Sequence, residues 1–318
     1  FNGVLLIGLV VLAVLLGYLD GDVSDLGGVH HFDDQRTADP APRYLCTLQG
    51  GNHNQFNSYW DPAVFAPGAK RDGPRKEWPG FGLDGAEQRR LAARWSLAFF
   101  RQHLLGDQRW DGILQGSEAL DATLPAAAVQ VVAYPADDER RRLNSTLTAA
   151  SPVQGDAGAP ATSDGPLAVD TVGGGAPSQD HLIDNDSRRF YQEPHHAGDP
   201  PGLRQLVLDW SERGGAWRAT LPPAQRDWQQ AAELRFRLGI DFDDPANVVD
   251  QPQDLSVELV DGSGAKQRLA LAANDNQAAG AYPASTTDSW SHPKVLLHQA
   301  RFPLARFDQV DLSDIRTL

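Results

Sequence analysis

Apolar residues follow one pattern in the first third of this chain and another in the last. Residues 4–19 carry no charge, are interrupted only by Gly8 and Gly17, and are rich in Val and Leu over 9–16. An unbroken run of that kind suits a parallel strand covered by helices on both faces. It falls short of the roughly 20 apolar residues of a transmembrane helix. Its flanks also lack the basic lead-in of a signal peptide, because Phe1-Asn2-Gly3 has no Lys or Arg. A buried strand is therefore expected over a membrane segment. Ser24 is placed to cap a helix over 25–38, and Tyr44, Leu45, Cys46 and Leu48 mark a second strand over 43–48. Further on, Leu91, Trp95, Ala98, Phe99, His103 and Leu105 recur at mixed three- and four-residue spacing, which predicts a helix over 85–106 with one apolar face.

Beyond Gly106 the pattern shortens. Residues 126–134 read as a strand leading into a new unit, and residues 151–179 are rich in Gly, Ala, Pro, Ser and Asp with little periodicity. A long flexible surface insertion is expected there. Short strands separated by turn signals follow at 203–210, 217–221, 233–240, 255–260, 267–271 and 295–302, with Asp261-Gly262-Ser263-Gly264 as a hairpin turn. Regular short strands predict a β-sandwich. The expected division is residues 1–122 as an α/β unit and residues 123–318 as an all-β unit.

Two turns carry candidate chemistry. The first apolar run ends in Asp20-Gly21-Asp22-Val23, and the second strand ends in Gly50-Gly51-Asn52-His53-Asn54-Gln55-Phe56-Asn57. Functional groups of open α/β sheets sit at the carboxyl ends of strands. From Asp20 to His53 the chain runs about one βαβ unit, which brings an acid and a histidine to the same edge of neighbouring parallel strands. A carboxylate placed there holds an imidazole in one tautomer and stabilises its cation. Taken singly, such an Asp is as readily a turn residue, and such a His a cap.

Together the two motifs resemble the acid and histidine segments of α/β-hydrolases, in the branch of lipases, dienelactone hydrolases and polyester hydrolases. The acid pattern G-x-x-D-x-x-V is matched by Gly17, Asp20 and Val23, which favours Asp20 over Asp22, and His53 matches the histidine of G-x-x-H. The resemblance extends through the helix at 85–106 and covers about residues 1–120. It implies the C-terminal part of an α/β-hydrolase sheet, with Asp20 and His53 as catalytic acid and base acting on an ester or lipid substrate. The residues 254–262 and 301–312 more loosely resemble the galactose-binding-like jelly rolls appended to many secreted hydrolases. That implies carbohydrate as a partner of the second unit and a secreted or cell-envelope protein.

One part of the family pattern is missing. Its nucleophile stands in a G-x-S-x-G elbow ahead of the acid and histidine, and no serine of this chain has glycines two residues before and after it. With no methionine either, the sequence reads as a fragment truncated at both ends, inactive until the nucleophile is supplied. The runner-up is a non-catalytic carbohydrate- or surface-binding protein working through its β-sandwich.

Composition narrows this a little further. Lys and Arg total 28 against 42 Asp and Glu, a net charge of −14. That balance excludes non-specific nucleic-acid binding, which depends on basic groups replacing counterions. Cys46 is the lone cysteine, so no intrachain disulfide forms, and in a strand it reads as a small buried hydrophobe. Asp241, Asp243, Asp244 and Asp250 offer oxygens of the kind Ca²⁺ takes, without EF-hand spacing; a solvated acidic loop is preferred, and no cofactor is expected. His30-His31-Phe32-Asp33-Asp34 and Glu193-Pro194-His195-His196 read as solvated surface rather than metal ligands. Trp210, Trp217 and Trp228 are candidates for a sugar-stacking platform, although alternation places Trp217 in the core.

Overall fold

The computed structural model describes residues 11–18, 28, 32, 40–56, 58, 83–124, 128–136, 139–141, 143, 161–172, 205–239, 246–247, 253–271 and 297–318. The chain divides into two compact units. One comprises Phe1–Arg140 with Tyr282–Lys294, the other Arg141–Ala281 with Val295–Leu318.

The first unit is built on β1 (Leu12–Gly17), β2 (Arg43–Leu48) and β3 (Val129–Tyr134), in the order β1-β2-β3. β1 runs parallel to β2, with Leu12 opposite Arg43 and Gly17 opposite Leu48. β3 runs antiparallel to β2, with Arg43 opposite Tyr134. All six residues of β2 are buried because it is central and covered on both faces. On one face Tyr44, Cys46 and Leu48 pack against Leu91, Trp95 and Ala98 of helix α1 (Gly85–Leu105), with Ile113 and Leu114 of the short α2 (Asp111–Gln115). On the other face the helical Phe32 stacks on Tyr134, ring centroids 5.0 Å apart, and its carbonyl accepts from the Arg43 guanidinium at 3.2 Å.

α1 starts and stops where capping chemistry says it should. Asp84 Oδ1 accepts the Glu87 N–H at 2.7 Å, satisfying one of the first-turn donors that have no intrahelical partner. Gly106 ends the helix at φ 66°, a left-handed conformation that only glycine adopts without cost. Buried residues along α1 recur as Gln88, Leu91, Trp95, Ala98 and Gln102, one stripe against the sheet. Gln88 is the unexpected member of that stripe.

The second unit consists of small antiparallel sheets. β9 (Ser256–Asp261) lies between β10 (Lys266–Ala270) and β12 (Ile315–Thr317), and β8 (Glu233–Leu238) pairs with β11 (His298–Pro303). β4 (Ala161–Asp164) pairs with β7 (Ala216–Ala219), and β5 (Leu167–Val172) with β6 (Gln205–Trp210). β8, β9, β11 and β12 share one core, in which Leu234, Leu259, Phe302 and Ile315 meet Leu221, Trp228 and Phe307. Across the β8–β11 pair, the Arg301 guanidinium donates two hydrogen bonds at 2.8 Å to the Glu233 carboxylate, which also pairs with Arg235. Bidentate geometry of this kind fixes register as well as adding attraction.

This architecture corrects the expected fold class. The described residues form five sheets of two or three strands, not the C-terminal part of a helix-rich α/β-hydrolase sheet joined to a jelly-roll sandwich. The expected parallel β1–β2 pair is present, but an antiparallel strand closes the other side of β2. An apolar run marks a strand without showing which strand lies beside it, and β1, expected to be buried on both faces, is only half-buried over Leu12–Leu16. The residues 126–134, expected to lead into a new unit, supply that third strand. The residues 151–179, expected to be a flexible insertion, contain β4 and β5. Their surroundings of Gly, Pro, Ser and Asp hide strands whose partners, β7 and β6, lie far downstream. No helix among the described residues is long and apolar enough to cross a membrane.

Candidate functional site

The histidine turn begins where the β2 ladder ends. Tyr18 N–H, just past β1, donates to the Leu48 carbonyl at 3.0 Å, and Gly51 N–H donates to the same carbonyl at 3.1 Å. Gln49 N–H crosses to the Ala128 carbonyl at 2.9 Å. The end of β1 and the turn after β2 are in van der Waals contact: a Cβ at Gly17 would lie 2.7 Å from Asn52 Cα, Asn52 N and Gly51 C. Only a residue without a side chain lets the two main chains come so close.

Beyond that contact the turn is tied down on both sides of His53. Asn52 is 3% exposed. Its N–H donates to Gln88 Oε1 at 3.0 Å, and its carbonyl accepts from Gln88 Nε2. Asn52 Oδ1 in turn accepts the Gln55 N–H at 3.0 Å, which caps the 3₁₀ turn Asn54–Phe56. The Gln55 carbonyl accepts from the Arg89 guanidinium at 3.1 Å, and the His53 carbonyl accepts the Phe56 N–H at 3.2 Å. Gly51, Asn52 and Gln55 are buried, whereas His53 is half-buried. The imidazole therefore projects from a backbone held from several directions.

Asp20, the expected acid, lies outside the described residues, as do Asp22 and Ser24. Asp241, Asp243, Asp244, Asp250, His30, His31, His195 and His196 also lie outside them. Among the described residues no group of three or more His, Cys, Asp or Glu side chains is placed to hold a metal ion. Cys46 is fully buried, and burial pushes its thiol well above the ordinary range, so it is not a nucleophile. His103 packs against Tyr44 and Phe99 with ring centroids 5.5 and 5.0 Å away, and burial lowers its pKa against the opposing pull of Asp111. It belongs to the packing of α1.

No family model, curated protein or solved structure matches this chain. The hydrolase resemblance therefore rests on the two motifs alone, and the site must be judged by its own geometry.

Gln88 and Asn52 were not legible as site residues beforehand. A signal was present nonetheless: position 88 falls on the apolar stripe of α1, and a glutamine there must find partners for its amide. Of the three candidate platform tryptophans, Trp228 is 4% exposed in the core and Trp210 is 38% exposed. A three-tryptophan sugar platform is therefore ruled out.

Proposed function

We propose that this chain carries the base of a carboxylic-ester hydrolase, with His53 as general base and Asp20 as the acid that orients it. The observation that carries this is the anchored turn. A half-buried histidine stands at the carboxyl end of a parallel strand pair, on a backbone pinned before and after it. Asp20 follows by three residues the glycine that touches this turn.

In this reaction His53 takes the proton from a serine hydroxyl as that oxygen attacks the ester carbonyl carbon. It then returns the proton to the departing alcohol when the carbonyl re-forms. A water molecule, deprotonated by the same imidazole, releases the acid in the second half. No serine of this sequence stands in a G-x-S-x-G elbow, and none is assigned here as the nucleophile. The reading does not depend on an α/β-hydrolase fold.

The test is hydrolysis of p-nitrophenyl acetate and butyrate by the protein together with whatever residues flank this chain in its gene. His53→Ala is expected to lower kcat/KM by about 10²- to 10⁴-fold, the range for losing a positioned general base. Unchanged hydrolysis in His53→Ala would remove the role assigned to the imidazole. Binding through the second unit is the less favoured reading, because burial of Trp228 takes it out of the one aromatic platform the sequence offered.

A further inference from the structure

We infer that Gln88 is a positioning residue for His53, a role that rests on the base assignment above. The Gln88 side chain is fully buried in the first turn of α1. Its amide meets both main-chain groups of Asn52, oxygen to N–H and nitrogen to carbonyl. A primary amide presents an acceptor and a donor side by side, as a neighbouring strand does. It thus acts as a one-residue strand partner at the point where the β1–β2 ladder has run out.

The consequence reaches His53 through the chain. The Asn52 peptide is fixed by Gln88, and the Asn52 side chain fixes Gln55, so the residues on both sides of His53 are tied to one helix turn. Arg89, the next residue of α1, holds the Gln55 carbonyl. Gly51 keeps the space clear: a Cβ there would lie 3.1 Å from Gln88 Oε1 and 3.3 Å from Gln88 Cδ. Leu91, Trp95 and Ala98 anchor the rest of α1 in the core. The turn therefore takes its position from a rigid helix rather than from loop packing. Catalytic geometry needs this, since a displacement of about 1 Å costs up to about 100-fold in rate.

Two substitutions separate positioning from simple support. Gln88→Leu keeps the shape and removes both hydrogen bonds. Gln88→Glu keeps the acceptor and regains the donor only when its carboxyl is protonated. Burial opposite the Asn52 carbonyl favours that neutral form. The readouts are the His53 imidazole resonances across a pH titration, and kcat and KM for p-nitrophenyl acetate.

Gln88→Leu is expected to broaden or shift the His53 resonances and lower kcat up to about 100-fold, with KM changed less than about twofold. Gln88→Glu is expected to depart from wild type at high pH, where the donor to the Asn52 carbonyl is missing, and to approach wild type, measured at the same pH, as its carboxyl protonates. If Gln88→Leu does not fold, the pH-dependent rescue in Gln88→Glu decides alone. Wild-type His53 resonances in Gln88→Glu at every pH would overturn the inference. The resonances report on the clamp whether or not esters are hydrolysed, so an intact His53→Ala enzyme would sink the function while leaving the clamp to be judged separately.

Discussion

Gly17→Ala is expected to destabilise the first unit by about 1–3 kcal/mol, the usual cost of forcing a methyl group into a filled space. The added Cβ would stand 2.7 Å from Asn52 Cα and N and from Gly51 C. These are main-chain atoms, so no flexible side-chain tip is available to swing away. Relief requires either β1 to draw back from β2 or the histidine turn to move off Gln88. The first breaks the Tyr18 to Leu48 hydrogen bond, and the second breaks the Gln88 pair. Chemical denaturation measures the stability loss, and the His53 resonances show which relief occurs. Gly106→Ala is the control, because a Cβ there meets nothing within 4 Å and the cost comes only from φ 66°. That change should cost about 1 kcal/mol and leave His53 untouched. A Gly17→Ala protein as stable as wild type would mean that β1 does not abut the turn.

The second unit should lose stability in acid well before its carboxylates titrate. His298, on β11 opposite Leu238, is 3% exposed. Burial, with a smaller contribution from Arg237 on β8, pushes its pKa from 6.5 down to about 3. The folded state thus holds a neutral imidazole, and the unfolded chain takes up a proton below its own pKa. The stability is fully present above about pH 6.5. It is lost progressively as pH falls toward about 3, with a slope of at most about 1.4 kcal/mol per pH unit. Asp261, held low by the Asp311 N–H and by Ser263, and Asp311, held low by Ser313, act in a lower window. Their contribution is present above their ordinary pKa of 3.8 and lost beneath it. His298→Leu should therefore flatten the stability curve between about pH 6 and 4 while leaving the steeper loss below pH 4 in place. Urea midpoints followed by tryptophan fluorescence across this range would show it. A wild-type slope that His298→Leu leaves unaltered would assign the acid loss elsewhere.

Most strands of this chain announce themselves locally, and their partners do not. The sequence pattern picks out strands at 43–48, 203–210, 233–240 and 255–260 and a helix over 85–106, each within a few residues of the observed element. Pairing is a long-range property: β2 takes β3 and β8 takes β11, each across a long stretch whose pattern does not name the mate. This is why a parallel pair with a helix after it suggested a familiar sheet that the third strand then contradicted. β4 was hidden for a different reason, since a strand of small polar residues, Ala-Thr-Ser-Asp, owes its form to β7 rather than to its own propensity. At the candidate site Gly-Gly-Asn-His was visible as a turn with a histidine. That Asn52 faces a helix residue far along the chain was not, because only packing brings Gln88 to it.

The unequal spans of the second unit's pairings also set an order of events. β9 and β10 are joined by a turn in which Asp261 Oδ1 accepts from Ser263 N–H at 2.8 Å and Ala265 N–H at 3.1 Å, so this hairpin closes a very short loop. Hairpins of this size form in about 1–10 μs. β8 and β11 meet only after the chain from Leu238 to His298 has been gathered in, an entropic cost that comes before any contact repays it. Substitutions at Leu259 should then slow folding, whereas Ala300→Gly in β11 should mainly speed unfolding, as stopped-flow kinetics would resolve. A nascent chain would spend its most exposed moments with β8 unpaired, its Leu234 and Phe236 waiting for a partner made long after them.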